Sequence, residues 1–146
     1  MRKNVKQMTK MNILLIDDEK LISSSLSSYL EKNDSYAVYI ASNGQDALSL
    51  LQVNHVDIIL TDLNLPDFKD FELVESIRAQ DADIPIIIMS AQFPDTIHYH
   101  IVKHNIFNCM TKPFDLDDIF YSVSDALHCS YGSNQGMEGI TEPDLC

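Results

Sequence analysis

The feature that most constrains this chain is the spacing of its apolar runs. Short, nearly unbroken hydrophobic stretches alternate with longer amphipathic ones, five times over. Candidate strands are Asn12–Ile16, Tyr36–Ile40, Asp57–Thr61, Pro85–Ser90 and Phe107–Thr111. The runs Ile58-Ile59-Leu60 and Ile86-Ile87-Ile88-Met89 have no polar alternation, which is the pattern of strands covered on both faces. The stretches between them carry helical periodicity: Lys20–Glu31, a segment through Leu51, Phe68–Gln80, Asp95–His104 and Asp115–His128. In the first, Leu21, Ile22, Leu26, Tyr29 and Leu30 are expected on one side; the second opens with Ser42 and Gln45 as a capping box. Strand–helix alternation of this kind predicts an α/β domain: a doubly wound, five-stranded parallel sheet with helices on both faces.

The 146 residues suffice for one such domain and little else. We read residues 1–10 as a basic leader, 11–129 as the domain, and 130–146 as a flexible tail or the start of a linker. Four of the ten basic residues (Arg2, Lys3, Lys6, Lys10) lie in that leader, and the formal net charge is -12. So acidic a body argues against direct contact with nucleic acid, which needs clustered Lys and Arg. The leader lacks the apolar stretch of a secretory signal, and no run is long enough to span a membrane. Cys109, Cys129 and Cys146 are odd in number and lack metal-site spacing, so reduced thiols in a cytoplasm are expected.

Chemistry gathers where strands end. Asp17, Asp18 and Glu19 follow the first strand directly, Asp62 ends the third, Ser90 the fourth, and Lys112 the fifth. Ligands of open α/β sheets bind beyond the carboxyl ends of the strands, at the switch in strand order. In the order 2-1-3-4-5 the first and third strands are neighbours, and their carboxylates converge. Such a cluster repels itself unless a cation sits within it. Oxygen ligands in an open site suit Mg²⁺, with Mn²⁺ as a substitute. Phosphoryl transfer fits these parts: Asp62 supplies an attacking carboxylate, Asp17 and Asp18 hold the metal, and Lys112 and Ser90 offer donors to phosphoryl oxygens.

Each residue also has a plainer reading. Asp17 and Asp18 are suited to capping the following helix, Ser90 alone is uninformative, and Lys112 is acceptable as a surface lysine. His98, His100 and His104 include an i, i+4 pair, a spacing that can bind metal but more often faces solvent. The acidic surface is sufficiently explained by solubility.

Four segments, Ile16-Asp17-Asp18-Glu19, Asp62-Leu63-Asn64-Leu65-Pro66, Met89-Ser90-Ala91 and Thr111-Lys112-Pro113-Phe114, resemble in order and spacing the response-regulator receiver domains of two-component signalling. The resemblance spans roughly Met11 to Cys129 and implies a flavodoxin-like fold. It further implies that Asp62 is the phosphoacceptor and that Asp17, Asp18, Asp62 and the backbone carbonyl of Asn64 hold Mg²⁺. Ser90 matches the switch hydroxyl, Lys112 the family lysine, and Asn64 and Gln92 the positions that tune phosphoryl lifetime. A cis bond before Pro113 is implied as well. The implied partners are a sensor histidine kinase or phosphotransfer domain and a downstream protein or fused effector domain. The chain would be a monomer or a phosphorylation-linked dimer, catalysing only its own phosphorylation and dephosphorylation.

Three departures stand out. Asp70 replaces a glycine of the turn after the acceptor, which predicts a different course for residues 66–70, because non-glycine residues resist positive φ. Asn105-Ile106 replace a Gly-Ala pair. Cys109 replaces the aromatic residue whose ring moves with the switch hydroxyl, and Phe107 is expected on the same strand face as a substitute. Two rivals fare worse: a nucleotide-binding module needs a glycine-rich first loop, and a haloacid-dehalogenase-like phosphatase needs an Asp-x-Asp pattern there, against Asp17-Asp18-Glu19-Lys20 here. A receiver-like docking domain that works without phosphorylation stays as the alternative.

Overall fold

The computed structural model describes residues 9–132, and the two terminal segments, including most of the expected leader and tail, lie outside them. Five strands, β1 (Met11–Ile16), β2 (Tyr36–Ala41), β3 (Ile58–Asp62), β4 (Ile86–Ser90) and β5 (Asn108–Thr111), form one parallel sheet in the order β2-β1-β3-β4-β5. The connecting helices are α1 (Lys20–Leu30), α2 (Gly44–Val53), α3 (Glu72–Gln80) and α4 (Ile97–His104), with α5 (Leu116–Gly132) after β5.

The unbroken apolar runs are explained by two cores, one on each face. Strand residues alternate between them. Leu14, Ile16, Ile59, Ile86 and Ile88 point into a layer closed by Ala47 of α2 and Leu73, Val74 and Ile77 of α3. Ile13, Leu15, Ile58, Leu60, Ile87 and Met89 point the other way, against Leu26 and Leu30 of α1 and Ile119, Val123 and Leu127 of α5. All eleven of these strand side chains are fully buried.

The local signals were less exact than the pattern. Leu21 is not in the core but 85% exposed, because nine residues at about 100° each carry it to the opposite side of α1 from Leu30. The buried side of α1 is Ser23, Leu26 and Leu30. α2 is capped by Asn43, whose side-chain oxygen accepts from the Asp46 amide (2.8 Å), not by a Ser42–Gln45 box. α3 starts four residues later than expected, since Asp70 takes a left-handed conformation (φ 50°) that interrupts any helix begun at Phe68. α5 continues past His128 to Gly132.

α3 and α4 meet through stacked rings. Phe71 lies 3.9 Å from the His100 ring at an interplanar angle of 9°, and His100 and His104 stack at 5.7 Å. The histidine pair is therefore turned into the protein, with His104 5% exposed, instead of facing solvent. Burial pulls the His104 imidazole below its ordinary pKa, and Lys103, His100 and Arg78 push the same way against Glu75.

Candidate functional site: an acidic cluster around one lysine

The site sits where β1 and β3 part company with the helices that follow them. Because Ile16 pairs with Thr61, the next residues, Asp17 and Asp62, emerge side by side. Asp17 is 1% and Asp62 6% exposed, whereas Asp18 lies at the surface. Carboxylate oxygens of Asp17, Asp18 and Asp62 all come within 4.8 Å of one another. The acids are held in place by the backbone as well. Asp17 Oδ1 accepts from the Glu19 amide (2.9 Å) and Asp62 Oδ1 from the Asn64 amide (2.9 Å). Glu19 is the N-cap of α1 and makes no side-chain cap, so Asp17 is spent on the cluster and not on capping.

Lys112 closes the group from the far side of the sheet. Its Nζ donates to Asp62 Oδ2 (2.7 Å), Glu19 Oε1 (2.8 Å) and Asp17 Oδ2 (2.9 Å). Its backbone amide donates to the Ser90 carbonyl (2.8 Å), which fixes the end of β5 against β4. The Lys112–Pro113 peptide bond is cis, as the resemblance implied. Burial disfavours the ammonium, but the bonds to Asp62, Glu19 and Asp17 outweigh it and hold its pKa above the usual lysine range. Burial raises the Asp17 carboxyl, opposed by Lys112 and the Glu19 amide and helped by the Asp62 charge.

Ser90 is fully buried at the end of β4, and its hydroxyl is engaged by the backbone of Gln92. It donates to the Gln92 carbonyl (2.9 Å) and accepts from the Gln92 amide (3.3 Å). Glu19 is the one member without an assigned role in the sequence reading, although the run of three acids at Asp17 already contained it.

The departures resolve differently from one another. Asp70 and Asn105 both adopt the left-handed conformation, at φ 50° and 56°. The turn that a glycine favours is thus made by an aspartate, so the expected change of course is not needed to relieve it. Asn105 ends α4 in the same way, a role this residue tolerates better than most. Cys109 faces the α2–α3–α4 layer, half-buried, with a free thiol that burial pushes up to about 11. Phe107 precedes β5 and packs on the opposite layer, with α5, so it does not share a face with Cys109 and cannot replace the missing ring. Of the three cysteines expected as reduced thiols, Cys109 is free, and Cys146 lies outside the described residues. Among the described residues no helix is long and apolar enough to cross a membrane.

A family model described as the response regulator receiver domain matches residues 13–124. The chain belongs to this family. Receiver domains are the signalling domains of two-component systems, and this one matches the cell cycle response regulator CtrA of Brucella ovis with 32% identity over 135 residues. That match covers 92% of this chain and 57% of CtrA, so the receiver spans little more than half the length of this curated relative. Among solved structures, the non-phosphorylated HemR receiver domain from Leptospira biflexa superposes with a TM-score of 0.74 at 28% identity, covering 81% of this chain and 94% of that one. The receiver domain of Francisella response regulator 1452 gives 0.73 at 26%, covering 86% and 100%. A CheY-like receiver from Methanospirillum hungatei JF-1, at 21% identity and 0.79, covers 85% and 98% and supports the fold.

Proposed function

We propose that this receiver accepts a phosphoryl group on Asp62 from a phosphohistidine of a sensor histidine kinase or phosphotransfer domain, and signals by changed protein binding. One observation carries the reading: a nearly buried carboxylate at a strand end is held by a lysine that also binds its two acidic neighbours. In this step an Asp62 carboxylate oxygen attacks phosphorus, the phosphorus–nitrogen bond breaks, and the imidazole leaves. The donor set fits a hard divalent cation, since Asp17, Asp18 and Asp62 present converging oxygens to which the Asn64 backbone carbonyl would add a fourth. Mg²⁺ bound there, or Mn²⁺ in its place, would neutralise charge on the transferring group. Lys112 follows the charge from the carboxylate to the phosphoryl oxygens, and Ser90 exchanges its bond to the Gln92 carbonyl for one to the same oxygens. Later attack by water returns inorganic phosphate and a free Asp62, so the domain turns over only its own phosphate.

The readout surface in this proposal is formed by α4, β5 and α5, where Tyr99, Val102 and Tyr121 are 59%, 81% and 63% exposed. Large apolar side chains left in water by one domain fit a protein partner, whether a separate target, a fused effector or a second receiver. The domain works in the cytoplasm, where its donors are made. A docking domain that needs no phosphate is favoured by two features, Cys109 in place of a ring and a Ser90 hydroxyl already satisfied by Gln92.

Intact mass after incubation with Mg²⁺ and a small phosphoryl donor separates the two. One added phosphoryl group, absent in Asp62→Ala and absent without Mg²⁺, is the expected result. No gain, with Mg²⁺ binding established and a kinase also tried, would leave the docking domain.

A further inference from the structure

The loop from β3 to α3 begins at Asp62 and carries Asn64, so in the proposed reading two of the metal's oxygen donors depend on where it lies. Leu65 and Phe68 pack against the core, but its hydrogen-bond anchoring is sparse. Among the described residues, only two hydrogen bonds tie residues 64–70 to any element outside β3 and α3, and Asp67 accepts both. Asp67 Oδ1 accepts from the Gly44 amide (2.9 Å) and Oδ2 from the Gln45 amide (2.9 Å). These are the first two residues of α2, whose open amides and positive dipole end suit an anion. Burial raises the Asp67 carboxyl, and its bonds to these amides more than reverse that and hold it below the usual carboxylate range.

The next residue adds a steric lock. Phe68 lies so close over Gly44 that a Cβ there would meet its ring at 2.3 Å, which leaves glycine as the residue that permits the approach. Asn43 separately caps the same helix through the Asp46 amide, so the helix end has an acceptor of its own and does not need Asp67 to begin. The cross-chain clamp therefore serves the loop more than the helix.

We propose that Asp67 is a positioning residue, whose two-point grip on the start of α2 holds the β3–α3 loop and thereby sets the affinity of the acidic site for Mg²⁺. The inference rests on the metal site of the proposed function. It is tested by calorimetric titration of the 146-residue protein with Mg²⁺ alone, at a temperature where circular dichroism shows every variant folded. In Asp67→Ala the dissociation constant rises about tenfold, the lower end for residues that support metal ligands. Asn43→Ala, which weakens the same helix from its own side, leaves the constant at the wild-type value. Should Asp67→Ala fail to fold, Asp67→Asn carries the test: it keeps one acceptor oxygen and loses one of the two bonds, so its constant lies between those values. An Asp67→Ala (or Asp67→Asn) protein that binds Mg²⁺ like the wild type, or is weakened no more than Asn43→Ala, overturns the clamp alone. A wild type that binds no Mg²⁺ overturns both the clamp and the reading beneath it.

Discussion

Two residues of this domain sit where the backbone favours glycine, and the cost differs between them. Asparagine visits the left-handed region readily, and Asn105 uses it to end α4. Asp70 does so at φ 50° in an exposed turn, and among the described residues its side chain makes no hydrogen bond that would offset the strain. Asp70→Gly should therefore stabilise the fold by about 1 kcal/mol, the usual left-handed penalty reduced by the added freedom of the unfolded chain. Urea denaturation checks this, and a destabilised variant would mean that Asp70 makes a favourable contribution elsewhere. Position 70 was legible as a departure from a glycine pattern, but its outcome was not. Whether a chain bends around a poor residue or forces it to comply depends on what holds the two ends, here β3 and the buried Phe71.

At the scale of elements, the contact of α3 with α4 is unusual for having two imidazoles in it. Nδ1 of His100 and Nε2 of His104 are buried and have no hydrogen-bond partner among the described residues, and both rings stack with Phe71. Such a buried position suits a neutral His104 ring. Because burial depresses the folded pKa of His104 below its unfolded value, its contribution is intact above the unfolded pKa of about 6.5 and is lost as pH falls through the folded value. Glu75 opposes this loss, whereas Lys103, His100 and Arg78 reinforce it. Stability should thus decline as pH is lowered from 7.5 to 5, and His104→Phe, which keeps the stack but binds no proton, should flatten that decline. Equal slopes for the two proteins would assign the pH dependence to other groups. The i, i+4 spacing of His100 and His104 showed in the sequence, but which side of α4 would be covered did not, since α3 supplies the cover from more than twenty residues away.

Over the whole molecule, the acidic site is also a weak point of the sheet. Three carboxylates from the ends of β1 and β3 are balanced by one ammonium from the end of β5, and Asp17 and Asp62 are nearly inaccessible to water. Removing one partner of a buried charge group typically leaves the others uncompensated. Lys112→Ala should cost about 3 kcal/mol of folding stability in the absence of divalent ions. Saturating Mg²⁺ should recover part of that loss, because a cation bound only by the folded state stabilises it. Thermal unfolding with and without Mg²⁺ checks both halves. A variant as stable as the wild type would show that the cluster sheds its charge by taking up protons instead.

The sequence by itself determined the architecture and the strand ends at which the acidic cluster and its lysine lie. Unbroken runs such as Ile86-Ile87-Ile88-Met89 demand cover on both faces, and a parallel sheet wound with helices is the economical way to supply it. Placing Asp17, Asp62 and Lys112 at strand ends then brings them together, because parallel strands all finish on one edge. What only the tertiary structure decided were relations between elements: Phe107 lying across the sheet from Cys109, and Asp67 gripping the start of α2. Periodicity reports which residues leave water; it is indifferent to the partner each polar group finds on arrival, and that choice is made by the packing of elements brought together from different parts of the chain.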